Sequence, residues 1–309
     1  MNQKAFNAVI KSLLIFSILY LIVSTPPMAF ASEFSVGIYP PLIIIQAVPP
    51  QTITHDLILE NFSNETIYLD IILKPFTASE TENGQPNFNT KDFKTPNFIK
   101  SVKILDKDNP IQSLTLYPKQ KKDLVITIML PESEENIDHY FSIQFISKDI
   151  KDLEKNNYSR IIGGISANVL LSIKKDKPEG FIREFSSPLF LIKGHIPFLI
   201  RITNTGNHFF QPQGTVTIKN IFGHVVAVKN LTSANVLRNS TRKINLSIPN
   251  HFLLGYYTAT LELALSEQGP LFRRSISFSV LPIQSITLIF ITILTLVIIY
   301  MKVNKRLKN

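Results

Sequence analysis

From Leu281 to Met301 the chain carries no charged residue, and Ile286 to Met301 is apolar on every face apart from the hydroxyls of Thr287, Thr292, Thr295 and Tyr300. A helix of that length, rising about 1.5 Å per residue, covers roughly 30 Å of hydrocarbon. Eleven Ile, Leu, Val and Phe side chains lie between residues 286 and 301. Each favours insertion by about 0.3–0.6 kcal/mol near a bilayer centre, and no charge opposes them at about 2.5–3.5 kcal/mol. The threonine hydroxyls are expected to bond back to carbonyls one turn earlier. The stretch predicts a transmembrane helix over 281–301. The basic tail 302–309, with Lys302, Lys305, Arg306 and Lys308, is expected to stay cytoplasmic, leaving everything before residue 281 outside.

The beginning of the chain agrees with that orientation. Lys4 and Lys11 precede an apolar core from Leu13 to Val23, then Pro26-Pro27, then Ala29-Phe30-Ala31. Small residues at Ala29 and Ala31 have the form of a signal-peptidase site, which predicts a signal peptide over 1–31 cut after Ala31; the alternative is an uncleaved N-terminal anchor.

The net charge of +9 invites a nucleic-acid reading until it is located. Two basic residues lie in the signal and four in the tail, leaving 26 basic against 23 acidic residues between 32 and 280. A balance of +3 lacks the electrostatic footprint of a nucleic-acid binder. The chain has no cysteine, which excludes thiol catalysis and thiolate metal sites. An extracellular part without disulfides must hold together by burial alone, and about 250 residues in two domains suffice for that.

Between 33 and 280 the hydrophobic period is close to two, and no window sustains a helical stripe. Strands are predicted at 34–39, 42–47, 55–59 and 67–73, bounded by Pro40-Pro41, Pro49-Pro50 and Asn61-Phe-Ser-Asn64. Thr77 to Pro96 is polar, with Asn83-Gly84 at a tight turn, and reads as a loop or an extra short ribbon. Further strands follow at 99–105, 111–116, 123–130, 140–147 and 161–173. Gly163-Gly164, inside the last, suggests a bulge or a close backbone approach. A charged segment then separates seven more short strands, at 185–192, 195–204, 214–220, 224–228, 241–248, 256–264 and 273–280. That is the count of an immunoglobulin-like sandwich. The expected fold is mainly β: an N-terminal sandwich over 32–174, a linker over 175–183 and a second Ig-like sandwich over 184–280.

Chemistry-bearing motifs are sparse. The histidines at 55, 139, 195, 208, 224 and 251 show no metal-ligand spacing, and Glu132-Ser-Glu-Glu135 lacks the alternating carboxylates and turning glycine of a calcium loop. Neither a phosphate-binding glycine loop nor a nucleophile paired with a base is present. The reading is therefore non-enzymatic, with no cofactor and no metal. Six Asn-x-Ser/Thr triplets, at Asn61, Asn64, Asn157, Asn230, Asn239 and Asn245, reflect an Asn- and Ser-rich composition. Loop aromatics remain as candidate ligand contacts: Phe88, Phe93 and Phe98 in or beside the polar stretch, and Phe209 and Phe210 after His208. Such residues serve either as binding anchors or as plugs at the ends of sandwiches. Leu281-Pro-Ile-Gln-Ser285 resembles a Leu-Pro-x-Thr-Gly sorting signal, with Gln284 and Ser285 in place of the Thr and Gly of the cleaved bond.

Four segments of the first unit are similar to the peptidoglycan-binding domain of the WxL-interacting surface proteins of Gram-positive bacteria. They are Leu59-Glu-Asn-Phe-Ser-Asn-Glu-Thr-Ile67, Thr77-Ala-Ser-Glu-Thr-Glu-Asn-Gly-Gln85, Leu116-Tyr-Pro-Lys-Gln120 with Val125-Ile-Thr-Ile-Met-Leu-Pro131, and Ile161-Ile-Gly-Gly-Ile165. Signal, two sandwiches, one span and a basic tail is also that family's layout. The resemblance implies a bacterial surface protein, anchored in the membrane, whose extracellular part binds peptidoglycan or another surface protein. The alternative is a structural spacer, or an accessory subunit of a membrane complex assembled through its helix.

Overall fold

The computed structural model describes residues 35–89, 97–147, 163–173, 177–192, 195–249, 254–266, 269–281 and 283–307, with the side chains of 97, 283–286 and 302–307 left out. The expected signal peptide with Ala29 and Ala31, the basic tail side chains and Phe93 lie outside the described residues.

The first sandwich has two five-stranded sheets. One runs β1 (Val36–Tyr39), β3 (Gln51–Asn61), β10 (Lys121–Leu130), β7 (Lys103–Asp106) and β8 (Asn109–Ile111). The other runs β2 (Leu42–Ala47), β12 (Gly164–Ile173), β11 (Asp138–Ser147), β4 (Ile67–Pro75) and β9 (Ser113–Leu116). A two-stranded ribbon of β5 (Thr77–Ala78) and β6 (Pro86–Asn87) leaves the sandwich after β4. Alternation explains the core: Leu124, Ile126, Ile128 and Leu130 of β10 face Phe141, Ile143 and Phe145 of β11, all nearly inaccessible to water. Each such side chain contributes roughly 1.5–3 kcal/mol of burial.

The second sandwich pairs a three-stranded sheet with a five-stranded one. The first comprises β13 (Gly180–Ser186), β15 (Ile196–Asn204) and β18 (Ser240–Ile248). The other runs β14 (Phe190–Leu191), β20 (Leu271–Val280), β19 (Gly255–Ala264), β16 (Gln213–Asn220) and β17 (Val225–Asn230). Ile196, Phe198, Ile200 and Ile202 of β15 pack with Tyr257, Ala259, Leu261 and Leu263 of β19 and with Phe278.

Both units have immunoglobulin-like topology. In strand-letter terms A-B-E-D packs against G-F-C in the first unit, with β8 and β9 added at the sheet edges, and A-B-E against G-F-C-C′ in the second. Each opens with the same device. A first strand (β1, β13) pairs antiparallel in one sheet, and its continuation (β2, β14) crosses to pair parallel with the last strand of the other. Each also ends its second long strand on a buried asparagine. Asn61 Nδ2 donates to the carbonyls of Glu65, Leu116 and Tyr117, and its Oδ1 accepts the Ser63 N–H. Asn204 Nδ2 donates to the carbonyls of His208 and Val236, and its Oδ1 accepts the Gly206 N–H.

The structure corrects several expectations. Residues 97–101 form a 3₁₀ turn before β7. The single strand expected at 185–192 is two short ones in different sheets, because the chain changes sheets there, and β13 already begins at Gly180, inside the expected linker. No bulge occurs at Gly164, which pairs in register with Ile146; a Cβ there would lie 3.3 Å from the Phe145 carbonyl oxygen. The polar stretch after Thr77 does form a ribbon.

Two residues after Leu281 the chain enters a helix, α1 (Ile283–Leu307). Thr292 Oγ1 donates to the Leu288 carbonyl at 2.8 Å and Thr295 Oγ1 to that of Ile291 at 2.9 Å, the back-bonding expected from sequence. The described side chains of α1, 287–301, are all exposed. Among the described residues no helix is long and apolar enough to cross a membrane.

Candidate functional site

Strand parity identifies the region where the two sandwiches meet. In β11, Phe141, Ile143 and Phe145 point into the first core, so Asp138, Tyr140 and Ser142 project from the opposite face. That face would be wet in an isolated sandwich, yet all three are buried. The loop after β15 covers it. Phe209 packs with Phe76, Tyr140 and Leu170 in a small apolar cluster, with Phe88 and Leu237 at its edge. The Phe76 and Tyr140 rings stack with centroids 5.9 Å apart.

Asp138 is the polar centre of this joint. One carboxylate oxygen lies 2.8 Å from His208 Nδ1; the other accepts the Tyr140 hydroxyl at 3.0 Å and the backbone N–H of Phe209. The Tyr140 oxygen in turn accepts the Arg238 N–H at 3.0 Å. Burial, then the Asp138 carboxylate, push the Tyr140 phenol far up its scale, so it remains a donor. Ser172 Oγ also approaches His208 Nδ1, at 3.2 Å. Aspartate and serine thus meet the same ring nitrogen. A catalytic triad needs them on opposite nitrogens, so this buried cluster, which borders a cleft at Asp138 and Tyr140, has the arrangement of a structural network.

The ribbon makes the second half of the joint. Glu82, with φ of 59°, sits in its turn and accepts the Lys243 N–H of β18 at 2.8 Å through its carbonyl. Its carboxylate is 2.8 Å from Arg201 Nε and 3.7 Å from Arg183. Arg201 also binds Glu184 at 2.8 Å. The Ser186 hydroxyl, ahead of Arg201, holds the Glu184 carboxyl below the usual carboxylate range. Gly84, at φ of 79°, lies against Arg242, whose guanidinium occupies the space a Cβ would take. Burial lowers the Arg242 pKa from its ordinary value.

Ribbon and joint enclose a cleft of about 450 Å³ lined by Thr77, Ser79, Glu80, Arg238, Asn239 and Thr241, with Phe76 and Tyr140 among its apolar contributors. Across the ribbon lies a smaller depression of about 230 Å³, bordered by Leu42, Pro86, Asn168, Leu237 and Arg242. The polar lining of the larger cleft is hydroxyls, the Asn239 amide, the Arg238 guanidinium and the carboxylates of Glu80, Glu82 and Asp138, beside aromatic surface, which suits a polar ligand better than an apolar one. A separate groove of about 530 Å³ runs past Gln51, Ser101, Met129 and Pro131 on the first sandwich. Among the described residues no group of three or more ligating side chains is placed to hold a metal ion.

The sequence-selected aromatics divide. Phe98 is a core residue, edge-on to His139 at 4.9 Å and to Phe141 at 6.2 Å. Phe209 fills the joint, and Phe210 belongs to the core of the second sandwich. All three are buried, and Phe98 also borders the groove of about 530 Å³. Phe88 is partly buried, edge-on to Phe76 at 5.9 Å, with Lys74 Nζ 5.4 Å from its ring centroid. Sequence reasoning missed Asp138, Tyr140, Glu82 and Arg238. The available signal was parity: Asp138 and Tyr140 share a face of a strand whose other face carries Phe141, Ile143 and Phe145.

No family model and no curated protein sequence matches the chain. Solved structures with partial similarity include the Salmonella enterica SafA pilin in complex with the SafB chaperone, at 10% identity and a TM-score of 0.39, covering 81% of this chain and 98% of that one. The E. coli chaperone DraB matches at 10% identity and 0.38, covering 80% and 97%. The Pseudomonas aeruginosa CupB2 chaperone matches at 9% and 0.35, covering 78% and 99%. At these scores the likeness assigns neither family nor function to this chain.

Proposed function

We propose that this is a non-catalytic binding protein of a bacterial surface. Helix α1 tethers it in the membrane with the C-terminus inside, and the two sandwiches hold a wall polymer, as the resemblance to WxL-interacting proteins implies. The observation that carries the binding reading is the 450 Å³ cleft, whose hydroxyl-, amide-, guanidinium- and carboxylate-bearing walls come from both sandwiches and from the ribbon. A buried joint fixes those walls before any ligand arrives, so binding costs little ordering entropy. The anchor rests on the 21 uncharged residues from Leu281 to Met301, of which 287–301 present only exposed side chains. The uncharged residues of α1, 283–301, cover about 28 Å at about 1.5 Å per residue.

Co-sedimentation of the purified full chain with peptidoglycan sacculi tests the binding reading. Thr241→Arg fills the cleft from the half-buried start of β18, and retention on sacculi is expected to fall at least tenfold, or about 1.4 kcal/mol. Unchanged retention would refute the cleft as the binding site.

A second reading, a protein partner, is favoured by β17. This edge strand is exposed along nearly its whole length, with Val225, Val226 and Val228 open to solvent, and such an edge accepts an added strand. Val228→Pro would abolish capture of a partner while leaving sacculus binding intact.

A further inference from the structure

The end of the second sandwich remote from the joint carries an apolar rim that neither core uses. Strand register defines it. β16 ends at Asn220 opposite Tyr257, β19 begins at Gly255 opposite Val280, and β14 pairs with Ser279 and Val280. All three connections therefore emerge at one end. There, Phe190 is 71% exposed, Ile192 54%, Ile221 66%, Phe222 75%, Leu254 61% and Tyr256 52%. The opposite end of the same sheet shows one large exposed apolar residue among those described, Leu271. Scattered apolar residues on a surface need no explanation, but a one-ended concentration containing three aromatics does.

The same end is where β20 hands over to α1, with only Leu281 and Pro282 between them. The three Cα–Cα steps from Val280 to Ile283 reach at most about 11 Å. Whatever medium receives the helix must therefore lie against this rim. We infer that the rim is a lipid-contacting surface: Phe190, Phe222 and Tyr256, with their aliphatic neighbours, enter the headgroup region of the bilayer and seat the second sandwich upright on it. Aromatic rings with an apolar body and, for tyrosine, a polar tip suit that layer. The inference rests on the membrane-anchor reading and goes beyond it, since a bare tether would leave the ectodomain free to tumble on two residues of chain.

The absence of native cysteine makes the test direct. Phe222→Cys and Tyr256→Cys, each at an exposed position, are nitroxide-labelled in the full chain and reconstituted into phosphatidylcholine–phosphatidylglycerol vesicles. Leu294→Cys in α1 and Tyr117→Cys on the first sandwich serve as references. Power saturation with oxygen and a water-soluble nickel chelate then reports depth. Labels at 222 and 256 are expected about 5–10 Å into the headgroup–acyl boundary, with 294 deeper and 117 aqueous. If 294 lies in the acyl core but 222 and 256 are freely accessible to the chelate, the rim inference is overturned and the anchor stands. Labels at 222 and 256 shielded from both reagents would mean that protein covers the rim, which also overturns it. If 294 is itself aqueous, the anchor reading falls and takes the rim with it.

Discussion

Removing the Asp138 carboxylate is the sharpest perturbation of the joint. Asp138→Ala removes three buried hydrogen bonds at once, from the Tyr140 hydroxyl, the Phe209 N–H and His208 Nδ1, the last of which keeps Ser172 Oγ at 3.2 Å. A buried polar group left without its partner costs about 1–3 kcal/mol, and the adjoining cleft can supply water to the Tyr140 end of the network. Allowing for that relief, we expect a loss of about 3–5 kcal/mol, within the range measured when one partner of a buried polar pair is deleted. Asp138→Asn keeps the shape and one acceptor and should lose roughly half as much. Urea unfolding of the full chain in detergent reads the total, and amide exchange at Arg238 reads the propagation. The Arg238 N–H donates to a tyrosine oxygen that Asp138 holds in place, so it should exchange faster in both variants. A double-mutant cycle with Tyr140→Phe decides the mechanism. Coupling of at least about 1 kcal/mol is expected for groups in one network. Strict additivity, or an unchanged Arg238 amide, would refute the idea that Asp138 organises the joint.

Acid should weaken the first sandwich through His139. Burial, then repulsion from Arg238, lower its pKa to about 4, only partly opposed by Asp138. The folded state thus keeps the ring neutral while the unfolded chain binds a proton near 6.5. Stability from this residue is complete above pH 6.5 and falls by about 3 kcal/mol as pH drops to 4. His139→Phe should flatten that limb of a stability–pH curve; an unaltered slope would exclude His139 as its source. Gly84→Ala should cost about 1–2 kcal/mol from its left-handed backbone, plus the cost of displacing Arg242. Arg242→Ala should relieve the second part only, which thermal unfolding of the double variant measures. Asn61→Ala and Asn204→Ala should each lose about 1–3 kcal/mol in chemical denaturation, because each removes several buried hydrogen bonds from a side-chain amide. A neutral result at either would mean that the two asparagines are alike in geometry but not in energy.

Much of the fold was legible because it follows from period-two burial. The long strands β10, β11 and β15 stand close to their expected positions, while β3 contains the expected 55–59 and begins four residues earlier. Errors gathered where a strand changes sheets, as between β13 and β14, since side-chain alternation records which face is buried but not against which sheet. The joint was harder to read for the same reason. Asp138 and Tyr140 alternate correctly with Phe141 and look like a wet face; only the arrival of Phe209, 69 residues after Tyr140 in sequence, dries it. Asn61-Phe-Ser-Asn64 reads in sequence only as a turn signal, and nothing there links it to Asn204-Thr-Gly-Asn207. Their shared role, one buried amide closing the same connection in each sandwich, needed the hydrogen bonds.

The two sandwiches differ most in one strand, and that difference explains the ribbon. In the first, β10 is covered at its outer edge by β7 and β8. In the second, the equivalent strand β18 is the last of its sheet, and its outward N–H and C=O groups would be open. Glu82 fills part of that vacancy: its carbonyl takes the Lys243 N–H as a neighbouring strand would, and its carboxylate reaches Arg201 on the strand beyond. An insertion in one module thus acts as the missing edge of the other. Replacing residues 79–85 by a two-residue Asn-Gly turn keeps the β5–β6 pairing and removes this cover. The second sandwich should still fold, since its core contains no ribbon residue. Its bare edge should then pair between copies, because an uncovered strand is a template for association. Sedimentation velocity should show a concentration-dependent dimer, with the Lys243 amide protected only in the dimer. A shortened chain that stays monomeric, with that amide as slow to exchange as before, would mean that the ribbon is not the cover of β18.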